Sequence, residues 1–282
     1  MKPLRRYSMR KRKRTESVRP PLVDIVIVTG GRFDMLRKCL VSIRNCTHVP
    51  YQIIVIDNAS NSEERIENGD LFIGESFLTK RLAQPVGFAE ANNIGARMGH
   101  SPLVLLLNDD IELTDGCIDK MVETMDDPQW GVVGAKLLFP ETSTSPIRPA
   151  GKVQHVGHAF NVTAQVIHPL VGWSKEHPKT CVSREVFSVT GACLMTRRSL
   201  WSKLGGLDLM YGAGTFEEVD YCLKVKQLGG KIYVNTDAVA YHYTGATAEK
   251  KGIPFPMQIN AMKFLSRWSG SGLIIWDDYK FY

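Results

Sequence analysis

The sequence predicts an α/β fold in which buried strands alternate with helices. Short runs of apolar and β-branched residues recur along the first half of the chain, and such runs are typical of strands buried on both faces. Stretches with helical spacing of apolar residues alternate with these runs, as they do in βαβ units. Acidic residues follow directly where two of the runs end. The length of 282 residues suits one large α/β domain or two small ones.

Positive charge is concentrated at the amino terminus. Residues 1–20 carry nine basic side chains and one acidic side chain, whereas the whole chain has a net charge of +6. The remainder of the chain is therefore slightly acidic. Because residues 1–20 have few apolar side chains, we expect a disordered basic arm that is either solvated or bound to an acidic surface such as nucleic acid or anionic lipid.

The cysteines and the apolar runs bear on the expected compartment. The six cysteines are scattered without close pairs, so we expect reduced, mostly buried thiols. No apolar run approaches the roughly 20 residues that cross a bilayer, and the basic arm lacks the apolar segment of a secretory signal. These features predict a cytoplasmic protein, either free or peripheral at the cytoplasmic face of a membrane.

Four strands are predicted in order from their apolar runs. They occupy residues 23–29, 52–56, 81–83 and 103–107, with helices at about 35–44 and 87–98. Gly30 and Gly31 follow the first strand, where they make either a tight turn or a close backbone approach to a ligand. Their spacing lacks the glycine fingerprint of dinucleotide-binding proteins, which argues against a flavin or nicotinamide oxidoreductase.

The fourth strand ends in the most informative stretch of the chain. Its last apolar residue, Leu107, is followed at once by Asn108, Asp109 and Asp110. Two adjacent acids at the edge of a core repel each other and lose hydration, so a divalent cation with oxygen ligands is the natural counter-charge. A polar turn explains the same residues.

Polar residues at two other positions are candidates for ligand contacts. Asp57 and Asn58 end the second strand, where they could accept hydrogen bonds from the base or ribose of a nucleotide or form a local turn. Asn92 lies in the helix predicted at 87–98, where its amide faces either the ligand or solvent.

The second half of the chain is less regular. A helix is expected at about 115–125, a strand at 130–139, a short helix from about 198 to 204 and short strands at 232–234 and 238–241. The segment 140–184 lacks a clear period and is typical of a lid or binding loop. It includes a predicted strand at 153–160 and four histidines, which we interpret as surface or packing residues: His155, His158, His168 and His177.

Three acids open a helix that follows Phe216. Glu217, Glu218 and Asp220 favour the positive end of the helix dipole, and they could equally supply a general base. Glu218 and Asp220 lie about 200° apart around a helix, so both can face one ligand only if the turn is irregular.

A series of short motifs in a fixed order resembles family 2 glycosyltransferases, particularly their rhamnosyltransferase-like branch. The resemblance extends from about residue 23 to 245 and rests on Thr-Gly-Gly-Arg, Ile-Asp-Asn-Ala-Ser, Gly-Phe-Ala-Glu-Ala-Asn-Asn, Leu-Leu-Asn-Asp-Asp, Thr-Gly-Ala-Cys-Leu-Met, Gly-Gly-Leu-Asp, Glu-Glu-Val-Asp-Tyr-Cys and Tyr-His-Tyr. It implies a GT-A fold, in which a Rossmann-like mixed sheet is flanked by helices. The nucleotide-binding half would lie at about 21–113 and a continuous acceptor-binding half at about 114–250. Residues 251–282 would form a C-terminal helical extension.

The resemblance also implies an activity and roles for individual residues. It implies an inverting transferase that uses a nucleotide-diphosphate sugar with Mn²⁺ or Mg²⁺. Asp110 and His242 match metal-ligand positions, and Glu218 matches the catalytic base, with Glu217 and Asp220 beside it. Asn108 stands where the family usually has the first Asp of its metal motif. The predicted nucleotide-binding residues are Thr29, Gly30, Arg32, Asp57, Asn58, Asn92 and Asp109.

Substrates and one alternative function complete the expectations. The donor is expected to be a UDP-, dTDP- or GDP-sugar, and the acceptor a glycan, a lipid-linked molecule or a protein. The alternative is a non-catalytic sugar-nucleotide or nucleic-acid binding protein that uses the basic arm. The sequence alone leaves the sugar, the nucleotide base and the acceptor open.

Overall fold

The first half of the computed structural model is a parallel βα arrangement. The model describes residues 20–60, 77–161, 165–244, 256–276 and 282, so the predicted basic arm lies outside the described residues except for Pro20. The elements of this half are β1 (Val23–Thr29), α1 (Phe33–Cys46), β2 (Tyr51–Asp57), β3 (Phe77–Arg81), α2 (Phe88–Met98) and β4 (Leu103–Asn108).

In the second half, the described residues form short strands and four helices. Two 3₁₀ turns, Pro178–Cys181 and Leu209–Tyr211, lie among them. The elements are β5 (Ile111–Leu113), α3 (Cys117–Thr124), β6 (Trp130–Leu138), β7 (Val153–His155), β8 (Ala159–Phe160), β9 (Val166–Ile167), β10 (Arg184–Glu185), β11 (Cys193–Arg197), α4 (Arg198–Leu204), α5 (Glu217–Gln227), β12 (Lys231–His242) and α6 (Met257–Trp268).

One mixed sheet joins the two halves. Its order is β10-β12-β6-β11-β4-β1-β2-β3, with β5 also paired to β12 and β7 to β6. The strands from β4 to β3 are parallel, whereas β11 is antiparallel to both of its neighbours. The predicted mixed α/β sheet is therefore confirmed, and β11 is the strand that connects the halves.

Alternate side chains of the central strands pack into two apolar cores on opposite faces of the sheet. Ile25 and Ile27 of β1 pack with α1 and α3 on one face, and Val26 packs with α2, α4 and α5 on the other. Because helices cover both faces of the sheet, nearly every position of the central strands is apolar and the strands form continuous apolar runs in the sequence. A third cluster packs α6 against α5 through residues such as Phe264 and Val219. Within the described part of the chain, every helix is too short or too polar to cross a membrane.

Several predicted boundaries are wrong in the structure. The third strand lies at Phe77–Arg81 rather than at 81–83, and the strand expected at 153–160 is divided into β7 and β8. Gly157, with φ of 101°, lies in the turn between them. The two short strands expected near the end are one strand, β12, with a bulge between Asn235 and Val239. The Asn235 side chain accepts hydrogen bonds from the amides of Asp237 and Ala238, which holds the bulge.

A fully buried carboxylate in β1 ties the sheet to α4. Asp24 accepts hydrogen bonds from the Ser101 hydroxyl and amide and from Arg198 Nη2, the last at 2.6 Å. Arg198 also donates to the carbonyl oxygens of Ala96 and Ser101. The charge of Asp24 is therefore compensated by a guanidinium that has most of its donors in use.

We expect Arg198→Met to lower the free energy of unfolding by about 3–5 kcal/mol, because it leaves the buried Asp24 carboxylate without its cation. Urea denaturation measures the change. Arg97→Met is the matched control, since Arg97 is exposed on the neighbouring helix α2, and it should stay within about 0.5 kcal/mol of wild type. Equal stability of the two variants would contradict the assigned role of Arg198.

Candidate active site

The carboxyl ends of the parallel strands form one edge of the sheet. Thr29 at the end of β1 is in register with Asp57 of β2, and Val28 is in register with Asn108 of β4. Ligands of open α/β sheets bind beyond this edge. The structure thus brings together the strand ends at which the sequence analysis placed its candidate residues.

His242 reaches the acidic turn from the other half of the chain. Strand β5 follows the turn directly and pairs with β12, so that Ile111 lies opposite His242. The Tyr243 amide also donates a hydrogen bond to the carbonyl oxygen of Asp110 at 3.0 Å. As a result, Nε2 of His242 lies 3.2 Å from Oδ1 of Asp110.

The two acids of the turn are buried and incompletely partnered. Asp109 and Asp110 are 5% and 6% exposed, and Oδ2 of Asp109 and Oδ1 of Asp110 accept no hydrogen bond from the described residues. Burial raises the pKa of Asp109 to about 7 against the effect of the Thr29 hydroxyl. Burial also opposes ionisation of Asp110, but a protonated His242 ring and the Arg32 charge hold the pKa of Asp110 below its usual value.

The carboxylate oxygens and the ring nitrogen at this turn fit as ligands of a hard divalent cation. Two buried carboxylates with free oxygens and one ring nitrogen are ligands that Mn²⁺ accepts, and the oxygens also suit Mg²⁺. Arg32 lies on the same edge, with Nη1 3.7 Å from Oδ2 of Asp110 and without a hydrogen-bond partner among the described residues. The edge can therefore hold a cation and an anionic group side by side.

The end of β2 borders an open groove of about 470 Å³. Asp57 accepts hydrogen bonds from Ser60 and from Arg81 Nη1, the latter at 2.8 Å, and Ser60 and Arg81 line the groove. The side-chain amide of Asn58 donates a hydrogen bond to the carbonyl oxygen of Val86 and accepts one from its backbone nitrogen. Asp57 thus lies behind the Ser60 and Arg81 side chains that line the groove. Asn58 instead holds the loop before Val86, which forms one wall of the groove.

The remaining predicted nucleotide residues occupy two places. Gly30 lies in the turn after β1, where the Gly31 amide donates to the Thr29 hydroxyl at 3.3 Å. Asn92 is 2% exposed and donates to the Phe88 carbonyl oxygen within its own helix. The donor groups of Asn92 are therefore used locally, which the sequence pattern did not indicate.

Two glutamates begin α5 at a strained turn. Thr215 and Phe216 have φ values of 79° and 73°, a left-handed conformation that is costly for residues with a Cβ. Glu217 is 3% exposed, and its Oε2 has no partner among the described residues. Burial raises the pKa of both Glu217 and Glu218, and the charge of Glu217 raises that of Glu218 further.

Gly191 and Ala192 connect Glu218 with the acidic turn. A Cβ built on Gly191 would lie 3.5 Å from Cβ of Glu218, so the two backbones approach closely. The next residue, Ala192, accepts a hydrogen bond from the amide of Asn108 at 2.9 Å. The predicted base and the predicted metal motif therefore flank the same short segment, which belongs to the Thr-Gly-Ala-Cys motif.

Asp220 has a different environment from Glu218. It is fully buried and accepts hydrogen bonds from Tyr211, Arg267 and Trp268 at 2.8–3.1 Å, with Lys224 at 2.8 Å. Arg267 and Trp268 belong to α6. The structure thus places Asp220 at the contact between α5 and α6. Asp220 therefore points away from Glu218, in agreement with their angular separation of about 200° around the helix.

The sequence analysis missed two polar side chains that support the site. Asn260 of α6 is fully buried and donates to the carbonyl oxygens of Tyr211 and Gly214, each at 2.8 Å, and of Thr215. It thereby holds the strained turn before α5. Gln154 contacts the ring of His242. Neither residue carries a local signal, because its role depends on contacts with distant segments.

Three of the four histidines in the segment 140–184 form a cluster. The ring nitrogens of His155, His158 and His168 lie within 4.8 Å of one another. The Thr190 amide donates to Nε2 of His155, so the neutral ring carries its proton on Nδ1 and donates to Nδ1 of His168 at 3.1 Å. Burial lowers the pKa of all three rings. One hydrogen bond within the cluster and the contacts of His155 with Thr190 and of His158 with Ser188 are in line with a packing role for the buried His155 and His158.

Comparisons with known proteins agree with this architecture. The O-antigen biosynthesis protein RfbC of Myxococcus xanthus is 27% identical over 243 residues, which are 83% of this chain and 18% of RfbC. The structure of GalNAc-T7 with UDP, GalNAc and Mn²⁺ superposes with a TM-score of 0.70 at 19% identity, over 94% of this chain and 49% of that one. The mannosyltransferase PcManGT from Pyrobaculum calidifontis, with GDP-Man and Mn²⁺, gives 0.55 at 16% identity, over 80% and 57%.

The chain spans less than a fifth of RfbC and about half of each solved chain. The structural likeness confirms the predicted GT-A fold. The family model described as Glycosyl transferase family 2 matches residues 24–205, which is more than half of the sequence. The motifs, the sheet topology and this match lead to one conclusion: the chain belongs to glycosyl transferase family 2.

Proposed function

We propose that this chain is an inverting, metal-assisted glycosyltransferase that moves a sugar from a nucleotide-diphosphate donor to an acceptor hydroxyl. One observation carries the proposal. Oδ2 of Asp109 and Oδ1 of Asp110 are buried without a hydrogen-bond partner among the described residues, and Oδ1 of Asp110 lies 3.2 Å from Nε2 of His242. A partly buried glutamate, Glu218, lies beside the adjoining segment. Unpartnered buried charge of this kind is costly and marks a site that a ligand completes.

The donor would be held by the acidic turn and the first strand. Asp110 and His242 would bind Mn²⁺ or Mg²⁺, which neutralises the charge that develops on the leaving diphosphate. Arg32 would contact the diphosphate, with Thr29 and Asp109 nearby. The groove at Ser60 and Arg81 would take the base of a UDP-, dTDP- or GDP-sugar, and the neighbours solved with UDP and with GDP-Man support this range.

Glu218 would act as the general base. Inversion requires a carboxylate that removes the proton of the acceptor hydroxyl while its oxygen attacks the anomeric carbon opposite the departing diphosphate. Burial and the neighbouring Glu217 charge raise the pKa of Glu218, which makes it a stronger base once it is ionised. Glu217 would tune this basicity, and Asp220 would support α5 through α6.

The acceptor and the compartment are part of the proposal. Similarity to an O-antigen biosynthesis protein supports a glycan or lipid-linked acceptor rather than a protein. The sequence motifs alone support a hexosyltransferase of the rhamnosyltransferase-like type. We place the enzyme in the cytoplasm. A lipid-linked acceptor would bring it to the cytoplasmic face of a membrane, where residues 1–20 would meet an acidic surface.

Glu218→Gln should reduce sugar transfer by about 10²–10⁴-fold, because the amide cannot accept the proton. A panel of nucleotide sugars with Mn²⁺ first identifies the donor that gives the largest thermal stabilisation; transfer and donor hydrolysis are then measured with it. Glu185→Gln, an exposed position on β10, is the control. A wild-type rate in Glu218→Gln would disprove the base assignment, and donor binding without turnover in the wild type would favour the non-catalytic alternative.

The pH profile should report the interaction between the two glutamates. Because Glu218 must be ionised and its pKa is raised, kcat/KM should rise with pH through an acidic limb and then level off. Glu217→Gln removes a neighbouring negative charge, so the acidic limb should move to lower pH. A limb that stays in place or moves to higher pH would contradict this coupling, and Glu185→Gln should leave the limb unchanged.

Asp110→Ala should weaken Mn²⁺ binding by more than about 10-fold, since a direct ligand contributes at least as much as a supporting group. Electron paramagnetic resonance titration of free Mn²⁺ measures the affinity without the donor. The control is Asp115→Ala, because Asp115 is exposed five residues further along the chain. If Asp110→Ala bound Mn²⁺ as tightly as Asp115→Ala, Asp110 would not be a metal ligand.

A further inference from the structure

Gln154 makes three hydrogen bonds with the segment that carries His242. It lies on β7, and its side chain is buried. Its Nε2 is 3.1 Å from the carbonyl oxygen of His242 and 3.2 Å from Oγ1 of Thr244, and its Oε1 is 2.7 Å from Nδ1 of His242. One amide therefore binds both the backbone and the ring of the same histidine.

These bonds determine which nitrogen of His242 carries the proton. A carbonyl oxygen can only accept, so the amide nitrogen of Gln154 must face the carbonyl of His242. Oε1 of Gln154 therefore faces Nδ1, and because Oε1 also only accepts, Nδ1 must be the protonated nitrogen. A neutral imidazole carries one proton, so its Nε2 presents a lone pair.

The lone pair of Nε2 is directed toward the acidic turn. Nε2 lies 3.2 Å from Oδ1 of Asp110 and 3.4 Å from Nδ2 of the Asn108 side chain. Two lone-pair atoms at this separation repel each other unless a proton or a metal ion lies between them, and Oδ1 accepts no hydrogen bond in the described part of the chain. The pair is thus arranged as two ligands of one ion.

We propose that Gln154 is a positioning residue that fixes His242 in the Nδ1-protonated tautomer and so prepares its Nε2 to bind the divalent metal. This inference rests on the proposed function, since it assumes that His242 is a metal ligand. Groups that bind the second nitrogen of a ligating histidine fix its ring and its tautomer, and their loss typically weakens metal binding by about 10–100-fold. Here the supporting group comes from a strand that the sequence analysis did not connect with His242.

The first test examines the tautomer in the metal-free protein. Nitrogen-15 NMR of the imidazole groups distinguishes the two tautomers, and the loss of one set of signals in His242→Ala assigns His242. The wild type should show the Nδ1-protonated form, and Gln154→Met, which keeps the side-chain size but has no acceptor, should show a shift toward the other form. A wild-type His242 protonated on Nε2 in the neutral ring would overturn the proposal without any Gln154 variant.

The second test measures Mn²⁺ affinity by electron paramagnetic resonance titration without the donor. Gln154→Met should bind Mn²⁺ about 10–100-fold more weakly, while Gln154→Glu, which keeps an oxygen acceptor for Nδ1, should restore most of the affinity. Thermal unfolding of each metal-free variant verifies that it is folded. Unchanged affinity in Gln154→Met, or an equal loss in Gln154→Glu, would overturn the proposal.

His242→Ala separates failure of this inference from failure of the proposed function. If His242→Ala binds Mn²⁺ weakly and Gln154→Met binds it normally, only the role of Gln154 is wrong. If His242→Ala itself binds Mn²⁺ normally, the proposed ligand set is wrong and the inference about Gln154 falls with it.

Discussion

The antiparallel pairing of β5 with β12 is the constraint on which the site depends. β5 is only three residues long, but it starts directly after the acidic turn, and its partner strand ends at His242. The hydrogen bond between the Tyr243 amide and the Asp110 carbonyl oxygen extends the contact beyond the strands. Because a backbone ladder sets this register, His242 faces Asp110 at a separation that side-chain freedom alone would not maintain.

The buried carboxylates of the described residues fall into two groups. Those of one group are paired with cations and support the fold, whereas those of the other have unpartnered oxygens and lie at the candidate active site. Asp24 and Asp220 are fully buried and compensated by cations, Asp24 by Arg198 and Asp220 by Arg267. The Asp220 oxygen that accepts no hydrogen bond lies 2.8 Å from the ammonium group of Lys224. Asp109 and Glu217 are nearly as buried but have oxygens without partners among the described residues. Since an uncompensated buried charge costs several kcal/mol, the second group is retained most simply for a ligand that supplies the missing charge or proton.

The C-terminal helix contributes to the site although it lies outside the residues matched by the family model. Helix α6 holds Asp220 through Arg267 and Trp268, and Asn260 binds the backbone of the left-handed turn before Glu217. Strain at such a turn persists only where surrounding contacts over-determine it. The orientation of Glu218 is therefore a property of two helices, one of which follows β12 in the chain.

The sequence by itself determined the central strands, the polar residues at their ends and the acids that open α5, because burial on both faces and helix termini leave local patterns. It also placed Glu218 and Asp220 on different sides of one helix. Tertiary structure decided the position of β3, the continuity of β12 through its bulge, the partners of Asn58 and Asn92, and the support of His242 by Gln154. These features depend on which distant segments meet, and periodicity within one segment carries no record of its partner.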